Sequence, residues 1–144
     1  MQGAPRVLLA EDDEDFKVLL SPLLRSEGYL VTEAKDGDAF LDLLIEASQC
    51  EDGRLSYDAI ITDVVMPGFS GLDVLQAFRR STGSAALIVM SAFEDAQVER
   101  SARALSAAFL RKPFEIDRLL QILTGALAPV ELARRRRSKT TPFS

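Results

Sequence analysis

Five short apolar runs, each handing over to an amphipathic stretch, set the strongest limit on what this chain can fold into. The runs are Arg6–Ala10, Leu30–Ala34, Ala59–Ile61 leading to Asp63, Ala85–Met90 and Phe109–Arg111. Short apolar runs bounded by turn signals read as strands covered on both faces, the kind found in parallel sheets. Between and after them the apolar spacing turns helical. Phe16, Leu19, Leu20, Leu23 and Leu24 share one face of a first helix, and Phe40, Leu43, Leu44 and Ala47 one face of a second. A third helix opens at Ser70-Gly71-Leu72-Asp73, a capping box with Asp in place of Glu, and runs to about Arg80. Val98, Ala102 and Leu105 mark a fourth. Ile116, Leu119, Leu120 and Leu123 mark a fifth, opening at Glu115.

Strands alternating with helices over short links require a parallel sheet with helices on both faces. Right-handed crossovers leave few topologies. The expectation is an α/β, (βα)5 flavodoxin-like three-layer sandwich with parallel sheet order 2-1-3-4-5. Pro22 predicts a kink or break in the first helix, and Gly28 a C-cap. Lys35-Asp36-Gly37-Asp38 is a turn, and residues 48–56 are a surface loop carrying the one cysteine, Cys50. Gly125, Ala128 and Pro129 suggest that the last helix ends there. One domain over residues 5–128 and a disordered basic tail or linker over 129–144 follow.

Composition removes several function classes. No apolar run approaches the roughly 18 residues of a membrane helix. Met1–Pro5 has no signal-peptide core, and a single cysteine fits a reducing compartment, so a cytoplasmic protein is expected. The chain has no histidine, which excludes Ser-His-Asp and Cys-His catalysis and His-ligated zinc. Any histidine chemistry must come from a partner. The net charge of −5 is uneven. Arg134–Arg137 and Lys139 take five of the 17 basic residues, leaving 12 against 22 acidic ones and a body at −10. Such a body does not bind nucleic acid, although the basic run could touch a polyanion.

In open parallel sheets, chemistry collects past the carboxyl ends of the strands. Here those ends carry Glu11 and Asp12, Asp63, Ser91 and Lys112. A strand-end Asp or Ser can merely cap a turn, and a lysine can merely be solvated. In the expected order, however, strands 1, 3, 4 and 5 are neighbours and all five side chains converge. Two like charges about 5 Å apart cost roughly 3 kcal/mol at an effective dielectric near 20. The cluster must therefore retain a proton or hold a hard cation on oxygen ligands, such as Mg2+. A lysine and a hydroxyl beside such a site suit a phosphoryl group, with Asp63 as the carboxylate nucleophile.

Val7-Leu8-Leu9-Ala10-Glu11-Asp12-Asp13, Asp63 with Met66-Pro67 and Gly71, Val89-Met90-Ser91-Ala92, and Phe109-Leu110-Arg111-Lys112-Pro113-Phe114 together resemble the receiver domain of bacterial two-component response regulators. The resemblance implies that Asp63 is the phosphoacceptor. Asp12 would bind Mg2+ (or Mn2+) directly, Glu11 through water, and Asp63 and the Val65 carbonyl would complete the metal set. Ser91 would hydrogen-bond the phosphoryl group, and Lys112 would pair with it before a cis Lys112-Pro113 bond. Phe109 would be an aromatic switch coupled to Ser91. The implied partners are a histidine kinase or histidine phosphotransfer protein and a downstream protein or fused output domain. A homodimer is among the states the resemblance allows. The chain would then be a signalling switch in a phosphorelay, not an enzyme in the ordinary sense. A receiver-like interaction module that is never phosphorylated is the alternative. A Mg-dependent aspartyl-phosphate phosphatase is disfavoured, because Val65 stands where its second Asp is needed.

Two departures from the family pattern carry expectations. The usual Gly-Ala pair before Phe109 is replaced within Ala104-Leu105-Ser106-Ala107-Ala108, so the fourth helix or its exit should differ. Val65 and Phe93 are apolar where they would flank the phosphoryl group, which predicts slow autodephosphorylation.

Overall fold

The computed structural model describes residues 4–49, 57–80 and 84–140. Its elements alternate throughout: β1 (Arg6–Ala10), α1 (Glu14–Ser26), β2 (Leu30–Ala34), α2 (Gly37–Ser48), β3 (Ala59–Asp63), α3 (Gly71–Ala77), β4 (Ala86–Ser91), α4 (Ala96–Ala104), β5 (Ala108–Arg111) and α5 (Ile116–Thr140). All four strand pairings are parallel, and the sheet order is β2-β1-β3-β4-β5. This is the flavodoxin-like fold that the alternation requires. Most of the loop expected over residues 48–56, with Cys50, lies outside the described residues.

Strand side chains alternate between the two faces of a sheet, and here they feed two cores. Val7 and Leu9 of β1 with Ala59 and Ile61 of β3 face Leu20 and Leu24 of α1 and Leu119, Leu123 and Leu127 of α5. Leu8, Ala10 and Ile60 face the opposite way, against Phe40 and Leu44 of α2, Leu72 and Leu75 of α3 and Ala102 of α4. Every residue of β3 is buried. That is the burial expected of the central strand of a doubly covered sheet.

Four helix expectations need correction. In α1 the buried stripe is Lys17, Leu20, Ser21 and Leu24, while Leu19 and Leu23 face solvent. The sheet covers a narrower arc than the apolar residues occupy, and that arc is turned by one residue towards Lys17. Lys17 tolerates this position because Glu14 pairs with it at 2.9 Å. Pro22 does not break α1, which is continuous from Glu14 to Ser26. The third helix ends at Ala77 rather than near Arg80. The last helix does not stop near Gly125–Pro129, and the segment beyond is not wholly irregular: α5 continues to Thr140. Pro129 removes one N–H from the helix ladder. The strong helix formers that follow, from Glu131 to Arg137, offset that single loss.

Two helix exits share one closure. After α1, the Gly28 N–H donates to the Arg25 carbonyl and the Tyr29 N–H to the Leu24 carbonyl, with Gly28 at φ +97°. After α4, the Ser106 N–H donates to Arg103 and the Ala107 N–H to Ala102, with Ser106 at φ 58°. Both are Schellman motifs. The first uses the residue that enters left-handed space freely, and the second a serine that does not. The altered exit expected at residues 104–108 is therefore a familiar turn built on an unfavourable residue. Ser106→Gly should raise the unfolding free energy by about 1 kcal/mol, the left-handed penalty less the extra entropy glycine brings to the unfolded chain. Denaturant melts of the two proteins measure the difference.

Candidate functional site

The carboxyl ends of β1, β3, β4 and β5 open on one edge of the sheet, and the local sequence decides what each presents there. β1 runs into Glu11 and Asp12. The next acidic residue, Asp13, is the N-cap of α1: its Oδ1 accepts the N–H groups of Asp15 at 3.0 Å and Phe16 at 3.3 Å. Glu14 and Asp15 occupy the first turn, where a carboxylate suits the helix dipole. The acidic run thus divides: three residues start the helix, and two remain at the strand end.

Those two diverge. Glu11 is fully buried and Asp12 is exposed. One Glu11 carboxylate oxygen accepts the Asp13 N–H at 3.1 Å, and the other accepts Lys112 Nζ at 2.6 Å. Asp63, at the end of β3, accepts the Val65 N–H through Oδ1 at 3.1 Å and Lys112 Nζ through Oδ2 at 2.6 Å. Lys112 therefore bridges both carboxylates. It arrives from β5 through its own N–H, which donates to the Ser91 carbonyl at 2.7 Å, and its bond to Pro113 is cis as expected.

A close backbone approach frames the Asp63 end of the site. A Cβ on Gly71 would collide with the Asp63 carbonyl and the Thr62 hydroxyl. Only glycine lets the start of α3 sit against the end of β3. Ser70 caps that helix by accepting the Asp73 N–H, as the Ser-Gly-Leu-Asp pattern suggests.

Glu11, Asp12 and Asp63 can each place a carboxylate oxygen within 4.8 Å of the others. Three carboxylates and one ammonium leave two formal negative charges on the cluster, so a divalent cation on hard oxygen ligands fits the donor set. Burial pushes the Glu11 carboxyl above its ordinary value, despite the Lys112 bond that opposes it. Burial alone would lower Lys112, but its bonds to Asp63 and Glu11 outweigh that and raise it.

The remaining expected residues lie nearby in less committed roles. Ser91 is buried at the end of β4, where its hydroxyl donates to the Phe93 carbonyl at 3.2 Å and accepts the Phe93 N–H at 3.1 Å. Phe109 is half-buried against the core on the α2, α3 and α4 side. Val65 and Phe93 are both more than half exposed. Sequence reasoning missed one member. Phe16 puts its ring 4.4 Å from Lys112 Nζ. Its place in the first turn of a helix that opens at the site was the available signal.

A family model for the response regulator receiver domain matches residues 7–124. The transcriptional regulatory protein FixJ of Bradyrhizobium diazoefficiens is 32% identical over 128 residues, which cover 88% of this chain and 58% of FixJ. FixJ of Azorhizobium caulinodans is 34% identical, over 84% of this chain and 54% of that protein. The chain spans about half the length of the curated relatives it matches. Among solved structures, the response regulator TrrA of Thermotoga maritima, in complex with Mg(2+)-BeF, superposes with a TM-score of 0.71 at 28% identity, over 85% of this chain and 99% of that one. The N-terminal domain of a Wolinella succinogenes protein gives 0.76 at 29% identity, over 91% and 99%.

The direction of the Glu11 shift sets a pH dependence. A carboxyl whose folded value is raised contributes stability that is present below its unfolded value and lost as pH rises through the folded one. Without divalent cations, the wild type should therefore lose stability relative to Glu11→Gln as pH climbs from about 4 towards neutrality. Urea melts of both proteins across that range check the sign.

Proposed function

The chain belongs to the response regulator receiver domain family, and on that footing we propose that Asp63 accepts a phosphoryl group from a phosphohistidine of a sensor kinase or phosphotransfer protein. The observation that carries the reading is Lys112 Nζ at 2.6 Å from both Asp63 and Glu11, with Asp12 completing a three-carboxylate cluster. Receiver domains act as signalling switches rather than ordinary enzymes. The absence of histidine fits a domain that receives the group and does not originate it.

The chemistry follows from the residues. An Asp63 carboxylate oxygen forms the new O–P bond while the donor's N–P bond breaks and imidazole leaves. Lys112, bonded to Asp63 at 2.6 Å, would keep its single positive charge and exchange the Asp63 carboxylate for the phosphoryl oxygens as the negative charge passes to them. Asp12, Asp63 and the Val65 carbonyl would hold Mg2+ or Mn2+, with Glu11 reaching it through water. The ion would supply further charge neutralisation at the phosphoryl oxygens. Because Glu11 is buried and bonded to Lys112, its share in the metal set is smaller than that of exposed Asp12.

Ser91 is the mobile member of this proposal. Its hydroxyl bonds locally to Phe93, so it must leave that carbonyl to donate to a phosphoryl oxygen. Phe109, on the same side as α4, would then turn further inward and alter the α4–β5–α5 surface. The relatives that the chain half covers are named transcriptional regulators. We accordingly place the readout in a downstream protein or an attached output domain.

Intact mass after exposure to a small acyl phosphate tests the reading. The wild type should gain one phosphoryl group in the presence of Mg2+ and lose the gain on chelation, while Asp63→Asn gains none. Equal labelling of the variant, or an unlabelled wild type, sinks it. Val65 and Phe93 are exposed and apolar, and neither side chain can orient an attacking water. Val65→Asn should therefore shed the phosphoryl group faster than the wild type, as followed by the decay of the labelled mass.

A further inference from the structure

Lys112 is held by more than its two carboxylates. Its Nζ lies 4.4 Å from the centroid of the Phe16 ring, within the range where an ammonium is drawn to the negative face of an aromatic. Phe16 is fixed in turn. Its N–H is bound by the cap Asp13, and its ring meets Phe114 edge-on, with centroids 5.9 Å apart and an interplanar angle of 84°. Phe114 lies just past the Lys112–Pro113 bond. The two rings therefore join the start of α1 to the strand-end segment that delivers the lysine.

An ammonium has three N–H donors and no acceptor. Glu11 and Asp63 each take a bond of 2.6 Å, and the Phe16 ring covers part of what remains. Without the ring, water would compete for the third donor. We propose that Phe16 is a positioning residue for Lys112, holding the ammonium over the carboxylates and keeping one side of it dry. Its functional consequence rests on the phosphoacceptor reading above. When negative charge passes from the Asp63 carboxylate to phosphoryl oxygens, the ammonium must turn to follow it. A ring attracts a cation with little preference for its rotation, whereas a third hydrogen bond would fix it.

Packing alone offers a competing account, since Phe16 also lies against the α1–α5 core. Two substitutions separate them: Phe16→Leu keeps apolar bulk and loses the π face, and Phe16→Tyr keeps the face. Two measurements are made on each protein. The first is solvent exchange of the Lys112 ammonium protons, read by 1H–15N NMR in the resting protein. The second is the rate of labelling by a small acyl phosphate with Mg2+. Exchange should quicken and labelling fall by about fivefold in Phe16→Leu, while Phe16→Tyr stays within about twofold of wild type in both. Unchanged ammonium exchange in Phe16→Leu overturns the proposal, and so does a Phe16→Tyr protein as impaired as Phe16→Leu. A wild type that takes up no phosphoryl group sinks the phosphoacceptor reading alone, because the exchange measurement then decides the role of Phe16 without it.

Discussion

One ammonium between two carboxylates organises this molecule. Lys112 stands 2.6 Å from Glu11 and 2.6 Å from Asp63, which lie 101 and 49 residues away in sequence. Neither carboxylate could be buried at this edge alone, since an isolated buried charge is far costlier than a paired one. The pairing in turn requires β1, β3 and β5 to end at one level, and the parallel register of the sheet provides that. The direction of each shift reflects the balance: Glu11 remains raised because burial outweighs the lysine, and Lys112 is raised because its two partners outweigh burial.

The scaffold around that cluster spends its irregular features where the strands end. Gly71 lets α3 begin against the Asp63 carbonyl, and Asp13 converts part of an acidic run into a helix cap. Charge repulsion that would trouble five free carboxylates is thereby distributed. Asp13 caps the helix, Glu14 pairs with Lys17, Asp15 lies in the first turn where the dipole suits it, Glu11 meets Lys112, and Asp12 is left exposed at the strand end. The division follows from geometry, since a strand end and a helix start cannot present neighbouring side chains in the same direction.

The strand order, the central burial of β3 and the meeting of Glu11, Asp12, Asp63 and Lys112 were legible in the sequence. They follow from the two-sided burial of short apolar runs and from the rule that strand ends share an edge. Finer helix features were not. The apolar arc of α1 is wider than the sheet can cover, so sequence periodicity assigned Leu19 and Leu23 to the core and passed over Lys17 and Ser21. Pro129 looked like a stop, although the helix formers beyond it carry α5 to Thr140. Ser91 was placed correctly at its strand end, but its bond to Phe93 depends on a loop conformation that no periodicity encodes. Phe16 went unnoticed because an aromatic at helical spacing ordinarily signals core.

The shortest strand carries a mechanical consequence. Phe109 packs into the core on the α2, α3 and α4 side, its neighbour Leu110 into the core on the α1 and α5 side, and Lys112 follows two residues later. β5 is thus a tie rod anchored in both layers of the sandwich. A tug on the lysine at its tip is shared between two closely packed interiors, and neither can yield without the other registering the displacement.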